Sequence, residues 1–523
     1  MEMEFPLYHY ARGPWPPMFA DEVSRAGGLF LSLCIYCAIC RSLRGASLVG
    51  AFLCGWMYTF KVIEFQSLMY TSDLFTFVQH GTSWLEGRFL WDNHFGYHGN
   101  LHTFLLNPLF GLPAIPFGAY GLLSVLAAGY GLTFFFANQI GLIQGLSPRA
   151  STAFAVLLVL MPLTITVFRD PIYGFHPEIL LLPLGLKLAL SLMHERRGGL
   201  SLMLAAAMCL VKEDAPILTA AIGAGLWLRS ALRGDWRREP ALVVALSLLA
   251  LPVLLEILSL QPFPVISDTY PEHSGPLAFF RLMGGPGASS EQGFVGLVIF
   301  VVRHLGDWLL STVTLKYLTI MLSGSFLLAL ACLPILFAGV PLTVTSWLAD
   351  SGSSLRWSPR LAPILAIAII AAIMGAGALL PMAQRLGRPA RAVLIAGVVA
   401  VCLGGQIAFV GATAIEFPLL QPGLRMPAPF TPEERRDADE VFASFRELSL
   451  GRTPVTATPW LQRYVHDRNV LWPNSLKGHP RPRYILYDTK WGPQFGLNLT
   501  GYEPIARDGI FSLWRDTTTP ARP

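Results

Sequence analysis

The chain has 523 residues, 53% hydrophobic and 14% charged, with a mean hydropathy of +0.51 and a net charge of +5. Soluble domains carry about 25% charged residues, so sequence this apolar excludes an ordinary water-soluble globule. No basic patch with interleaved aromatics gives a footprint for nucleic acid.

About 20 consecutive apolar residues span a bilayer as a helix, and apolar blocks recur along the chain. They cover 27–40, 46–63, 117–139, 151–168, 177–193, 200–211, 214–230, 241–260, 317–348, 361–380 and 391–412. Block 317–348 has room for a tight hairpin near Pro334 and Pro341, and the pieces 101–114 and 294–311 read as re-entrant or interfacial. The fold class expected is mainly α, a polytopic helical bundle of about 10–13 spans with a small C-terminal α/β domain. In domain terms, 1–45 is an N-terminal segment in which 27–40 is left open as a first span, 46–412 is the membrane domain, and 425–523 is soluble. The N-terminus is acidic and proline-rich before Asp21, which predicts no cleavable signal peptide.

All seven cysteines (34, 37, 40, 54, 209, 332 and 402) lie in apolar blocks, which implies no disulfide framework. Cys34, Cys37 and Cys40 have no His or carboxylate close by and read as small residues on a helix face.

Arginine clusters set the expected sidedness. Arg41 and Arg44, His194 to Arg197, the group Arg229, Arg233, Arg237 and Arg238, and the group Arg385, Arg388 and Arg391 all sit in short loops. Placing them in the cytoplasm follows the positive-inside rule and requires 317–348 to cross twice. The opposite face then carries 64–100, 169–178, 212–214, 261–293 and the tail.

The unusual polar residues collect on that outer face. Loop 64–100 includes Glu64, Asp73, His80, Asp92, His94 and His98, and 169–178 includes Arg169, Asp170, His176 and Glu178. Lys212-Glu213-Asp214 is wedged between two apolar stretches. Ionisable groups at membrane depth are costly and face a cavity or a partner, so the triplet reads as site-lining, with a tight interfacial turn as the alternative. Asp73 precedes an amphipathic stretch, so a helix N-cap is the alternative to a catalytic role for it, and the two roles are compatible. His94, His98 and His102 are spaced by four, as metal ligands on one helix face would be, but Gly96 and Gly99 disfavour a helix there.

In the tail, Thr431-Pro432-Glu433-Glu434 is a helix start with Thr as N-cap, Pro at N1 and Glu at N3. The helix is expected to run to about Glu447 with Val441, Phe442, Phe445 and Leu448 inward. Strands are expected at 454–457, 470–472, 484–487 and 509–514. Asp437-Ala-Asp439 has the form of a metal motif, but lies on the polar face of this helix and reads as solvated charge.

Three motifs in order, Ser72-Asp73, Gly174-Phe175-His176-Pro177-Glu178 and Val211-Lys212-Glu213-Asp214, together resemble the DUF2079 family of predicted bacterial membrane proteins. His98 followed by Asn107-Pro108-Leu109-Phe110 is similar to that family's outer-loop His. Thr456-Ala457-Thr458, Tyr484 to Asp488, Gly501-Tyr502-Glu503 and Asp508-Gly509-Ile510 resemble its closing α/β module. The resemblance runs from about 46 to 515 and departs around Trp357 to Arg360, where an aromatic–His pair is expected.

The resemblance implies a relation to GT-C glycosyltransferases, which use a polyprenyl-phosphate sugar donor at the outer face of the bacterial inner membrane. Such a transfer needs a base for the acceptor hydroxyl, for which Asp73 is the candidate, and positive charge on the leaving phosphate. Lys212, Arg169 and His176 are candidates for that charge. Glu178 and Glu213 could bind sugar hydroxyls or orient those cations, and Asp214 and His98 complete the set. A divalent cation would serve the same end, though no ligand set is convincing. The expected partners are membrane lipids, the donor and an acceptor. A transporter or flippase and a non-catalytic scaffold are the other classes.

Overall fold

The structure is a computed structural model. It describes residues 21–41, 44–71, 74–75, 77–78, 109, 111–170, 173–194, 198–212, 215–259, 302–310 except 304, a few positions between 315 and 325, 327–342, 361–413, 430–447, 454–465, 469–471, 481–495 and 497–518. Its longer helices in the membrane domain are α1 (Asp21–Cys40), α2 (Ala46–Gln66), α3 (Ala119–Ile143), α4 (Pro148–Val159), α5 (Pro162–Arg169), α6 (Leu181–Met193), α7 (Gly198–Cys209), α8 (Ala215–Ala231), α9 (Arg238–Ser259), α10 (Ala362–Arg385) and α11 (Arg388–Thr413).

Among the described residues four helices are long and apolar enough to cross a membrane: Glu22–Cys40, Ala46–Gln66, Ala119–Ile143 and Ala362–Arg385. The count becomes five if α4 and α5, bent by 58°, form one broken span. The bend has a cause. Pro162 opens α5 and has no N–H to continue the α4 ladder. The expected 10–13 spans are not reached among the described residues. Several apolar blocks fold as shorter pieces: 177–193 becomes a 3-10 turn, Pro177–Leu180, followed by the 13-residue α6, and 200–211 becomes the 12-residue α7. Block 317–348, expected as a hairpin, is described only in part.

Helices α1, α2 and α3 pack as a unit pinned by buried tyrosines. The Tyr36 hydroxyl donates to the Ser47 carbonyl at 3.0 Å, and the Tyr58 hydroxyl to that of Arg25 at 2.8 Å. α10 is buried along its first half. Every residue from Ala362 to Gly375 is buried, as expected of a helix apolar on all sides.

The two ends of the bundle differ chemically. At one end Arg229 donates to the Gln144 side chain at 2.9 Å, Arg237 reaches the Leu192 and Met193 carbonyls at 3.3 and 3.4 Å, and Arg391 bonds the Ala383, Gln384 and Leu386 carbonyls. These guanidiniums cover helix C-termini, where the backbone dipole favours cations. Arg41 and Arg44 also lie at the α1–α2 turn, away from the far end of α2. That far end, with the α5 terminus, holds the carboxylates described below.

The C-terminal domain is one helix, α12 (Pro432–Glu447), against a five-stranded sheet of order β2-β1-β3-β5-β4. The strands are β1 (Pro454–Ala457), β2 (Asn469–Leu471), β3 (Tyr484–Asp488), β4 (Tyr502–Asp508) and β5 (Phe511–Asp516). β1 runs parallel to β2 and β3; β5 is antiparallel to β3 and β4. The expected capping box forms: Thr431 N–H donates to Glu434 at 2.6 Å and Glu434 N–H to Thr431 Oγ1 at 3.1 Å. Val441, Phe442 and Phe445 enter the core, while Leu448 lies outside the described residues. The expected strand 509–514 begins two residues late, because Gly509, at φ +51, belongs to the β4–β5 turn.

Candidate functional site

The site begins on α2, where Lys61 and Glu64 stand almost one turn apart and so share a face. Lys61 is fully buried and donates from Nζ to the carbonyls of Phe168 at 2.9 Å and Arg169 at 2.7 Å. These carbonyls end α5, so the ammonium satisfies groups that a helix terminus leaves unpaired. Glu64, 3% exposed, accepts from the Arg169 guanidinium, with Nε at 2.9 Å and Nη2 closer, and from the Tyr70 hydroxyl at 2.9 Å. Arg169 also stacks over Phe60 at 4.4 Å. Burial first, then the Glu64 charge, hold the Tyr70 phenol well above the usual tyrosine range. It therefore stays a hydrogen-bond donor at physiological pH.

Asp170 caps α5 in the left-handed conformation, φ 44 and ψ 64, which Asp tolerates better than most residues. It is 1% exposed. Its Oδ2 lies 2.7 Å from His176 Nδ1, and its Oδ1 has no hydrogen-bond partner. The intervening chain turns back through Gly174, whose N–H donates to the Asp170 carbonyl at 2.8 Å. Gly174 has φ +79, and a Cβ there would lie 2.6 Å from the Tyr70 ring. Only glycine fits both demands. The His176 ring meets Tyr173 and Phe77 edge-on, at centroid distances of 4.8 and 5.8 Å. Two residues on, Glu178 in the 3-10 turn accepts from Lys212 Nζ at 2.6 Å.

Three carboxylates, Glu64, Asp170 and Glu178, thus face three cations, Lys61, Arg169 and Lys212, with His176 between them. Buried charges are tolerated only when paired and hydrogen-bonded. A His held by a carboxylate through Nδ1 is fixed in orientation and tautomer, and stabilised when it takes up a proton. The group can move a proton and can stabilise developing negative charge.

The structure brings together four residues that the sequence nominates: Arg169, His176, Glu178 and Lys212. Glu178 engages Lys212, the cation-orienting arrangement. Asp73, His98, Glu213 and Asp214 lie outside the described residues, as do His94 and His102. Lys61 and Tyr70 were missed, and Glu64 and Asp170 had no assigned role. Lys61 carried a signal, since a lysine inside an apolar span demands a partner. Tyr70 carried none. Among the described residues no group of three or more His, Cys, Asp or Glu could hold a metal ion. Asp439 accepts from the Tyr464 hydroxyl at 2.8 Å, while Asp437 packs toward Gly509.

The model of the DUF2079 family of predicted membrane proteins matches residues 67–416, more than half of the chain. The chain belongs to the DUF2079 family. Among curated proteins none matches it. In this DUF2079 protein the matched segment carries Asp73, Arg169, Asp170, His176, Glu178 and Lys212. It begins just after Lys61 and Glu64 and ends before the α/β domain.

Proposed function

We propose that this DUF2079 protein is a GT-C type glycosyltransferase, moving a sugar from a polyprenyl-phosphate donor to an acceptor at the outer face of the inner membrane. The observation that supports it most is the convergence of residues 61–70, 169–178 and 212 into one buried ion-pair cluster at the bundle end opposite the arginines. By the positive-inside rule that end is the extracytoplasmic one, and the α/β domain lies beside it.

In this mechanism Asp73 takes the proton of the acceptor hydroxyl. The hydroxyl oxygen attacks the anomeric carbon, and the bond from that carbon to the donor phosphate breaks. The lipid phosphate leaves with the electron pair. Lys212 and Arg169 supply the positive charge that stabilises it, and their carboxylate partners hold them in place beforehand. His176, braced by Asp170, supplies a further charge or hydrogen bond. A divalent cation is compatible with this scheme.

The test is transfer from radiolabelled polyprenyl-phosphate hexoses by the protein in nanodiscs. Label should pass to an envelope extract with the native protein and not with Asp73→Asn or Lys212→Met. A normally folded Asp73→Asn protein with full transfer would remove Asp73 from this role.

The fully buried Lys61 beside Asp170 favours a second reading, a transporter in which the charge-balanced cluster carries a proton or substrate. Proteoliposomes separate the two, because a transporter moves solute without breaking the donor bond.

A further inference from the structure

Tyr70 reaches Glu64 only because the chain turns sharply after α2. The turn is tight: Ser67 N–H donates to the Ile63 carbonyl at 3.0 Å, and Met69 N–H to that of Glu64 at 3.1 Å. Leu68, at its centre, has φ +57, a left-handed backbone that an L side chain with a Cβ resists. Such a conformation persists where surrounding structure holds it.

What holds Leu68 is the α/β domain. The residue is 2% exposed and belongs to the core of that domain, with Phe430, Phe442, Phe445 and Leu461. A second contact is polar. Arg463, in the 3-10 segment Pro459–Tyr464, donates from Nη1 to the Gln66 carbonyl at 2.8 Å. Gln66 is the last residue of α2, so this guanidinium caps the helix that carries Lys61 and Glu64. It also lies over the Phe65 ring at 5.6 Å. Phe65 in turn packs on Tyr70 and Tyr120, at centroid distances of 6.4 and 5.1 Å.

We propose that the α/β domain is a positioning element of the ion-pair site, with Leu68 as its plug and Arg463 as its clamp on the 67–70 turn. With the turn locked, the Tyr70 hydroxyl points at Glu64 Oε2, and Glu64 is held against Arg169. The Tyr70 ring also packs over Gly174, which leads into His176, so the same contact reaches both halves of the cluster. Both contacts, the packing of Leu68 and the Arg463 hydrogen bond, hold whichever chemistry the site performs. It gives a physical use to a domain that lies outside the family-matched segment.

The test uses full-length protein in nanodiscs with 3-fluorotyrosine at position 70. Arg463→Ala should shift the fluorine resonance, lower the pH at which it titrates, and speed amide exchange across 64–70 by at least tenfold. Protection of 484–488 and 511–516 should persist, because the domain core is untouched. Arg463→Lys should restore part of the effect, since it keeps a donor for the Gln66 carbonyl and loses the planar stack. Leu68→Ala is the second variant and should move the same readouts in the same direction. An unchanged fluorine signal and unchanged 64–70 exchange in both variants would overturn the proposal. So would loss of protection in the domain and the turn together in both, which would make the contact a general folding contact.

Discussion

Glu64 is the point at which the cluster can be weighed. Glu64→Ala removes the acceptor for two N–H groups of Arg169 and for the Tyr70 hydroxyl, and leaves Arg169 as a largely buried cation without its carboxylate. Breaking one side of a buried ion pair costs about 3–5 kcal/mol. Tyr70→Phe removes only a hydrogen bond to a charged acceptor, worth about 1.5–3 kcal/mol. If Tyr70 contributes mainly through Glu64, the double variant should cost less than the sum of the two by about 1–2 kcal/mol, the size of coupling expected of groups in one network. Reversible unfolding in mixed micelles, followed by tryptophan fluorescence, measures all three, provided the transitions are two-state. Single-variant costs that add to within about 0.5 kcal/mol would refute the idea that Tyr70, Glu64 and Arg169 act as a unit.

Lys212→Met should destabilise by about 3–5 kcal/mol because it strands the Glu178 carboxylate; adding Glu178→Leu should recover most of that loss in thermal unfolding without restoring any activity. Gly174→Ala should cost about 2–4 kcal/mol, from the positive φ and the clash with the Tyr70 ring together, and should weaken the Tyr70–Glu64 bond as seen by hydrogen exchange. In the α/β domain, Asp488 accepts from the Thr458 hydroxyl and from Trp491 N–H. Asp488→Ala should therefore cost about 2–4 kcal/mol through stranded donors, and Asp488→Asn much less. Burial raises the Asp488 carboxyl above its ordinary 3.8, against the hydrogen bonds that lower it. The folded state then holds this proton more tightly than the unfolded one, so its contribution to stability falls as pH rises from about 3.8 through the raised value. Asp488→Asn should flatten that slope in exchange at 484–495.

How far the fold was legible follows from what each element needs. The capping box at Thr431 and the inward face of α12 are local patterns, and they appear as expected. Strand β4 was not legible, because Tyr502–Asp508 carries a proline and has a mostly exposed face, and its pairing shifts register between Pro504 and Ala506. Those are edge-strand traits, tolerated only where one side of the ladder is open. In the membrane domain apolar blocks mark helices well but not their lengths, since breaks such as 160–161 depend on one proline. Members of the ion-pair cluster were legible where they stood out against apolar sequence, as Arg169, His176, Glu178 and Lys212 did. Tyr70 did not, because a tyrosine next to a span is ordinary until Glu64 comes within 2.9 Å of it.

The pairings also change what the cations can do. The sequence nominates Arg169, His176 and Lys212 as phosphate ligands, and each already faces a carboxylate. A phosphate entering here must share Arg169 and Lys212 with Glu64 and Glu178, and His176 with Asp170, so net attraction comes from a paired cluster rather than from a bare positive pocket. Pairing has a consequence for selectivity. A free phosphate gains little from Arg169 and Lys212 when each already has its carboxylate, whereas the lipid-linked donor of the proposed reaction would add apolar contacts. The Asp170 Oδ1 oxygen, buried and without a hydrogen-bond partner, adds an acceptor that a hydroxyl could fill and a phosphate could not. If the proposed transfer is what the site performs, its ligand brings both hydroxyls and phosphate on a lipid carrier, and a simple anion is a poorer match. Competition with free phosphate in the nanodisc transfer assay should therefore be weak, with inhibition appearing only at millimolar concentrations.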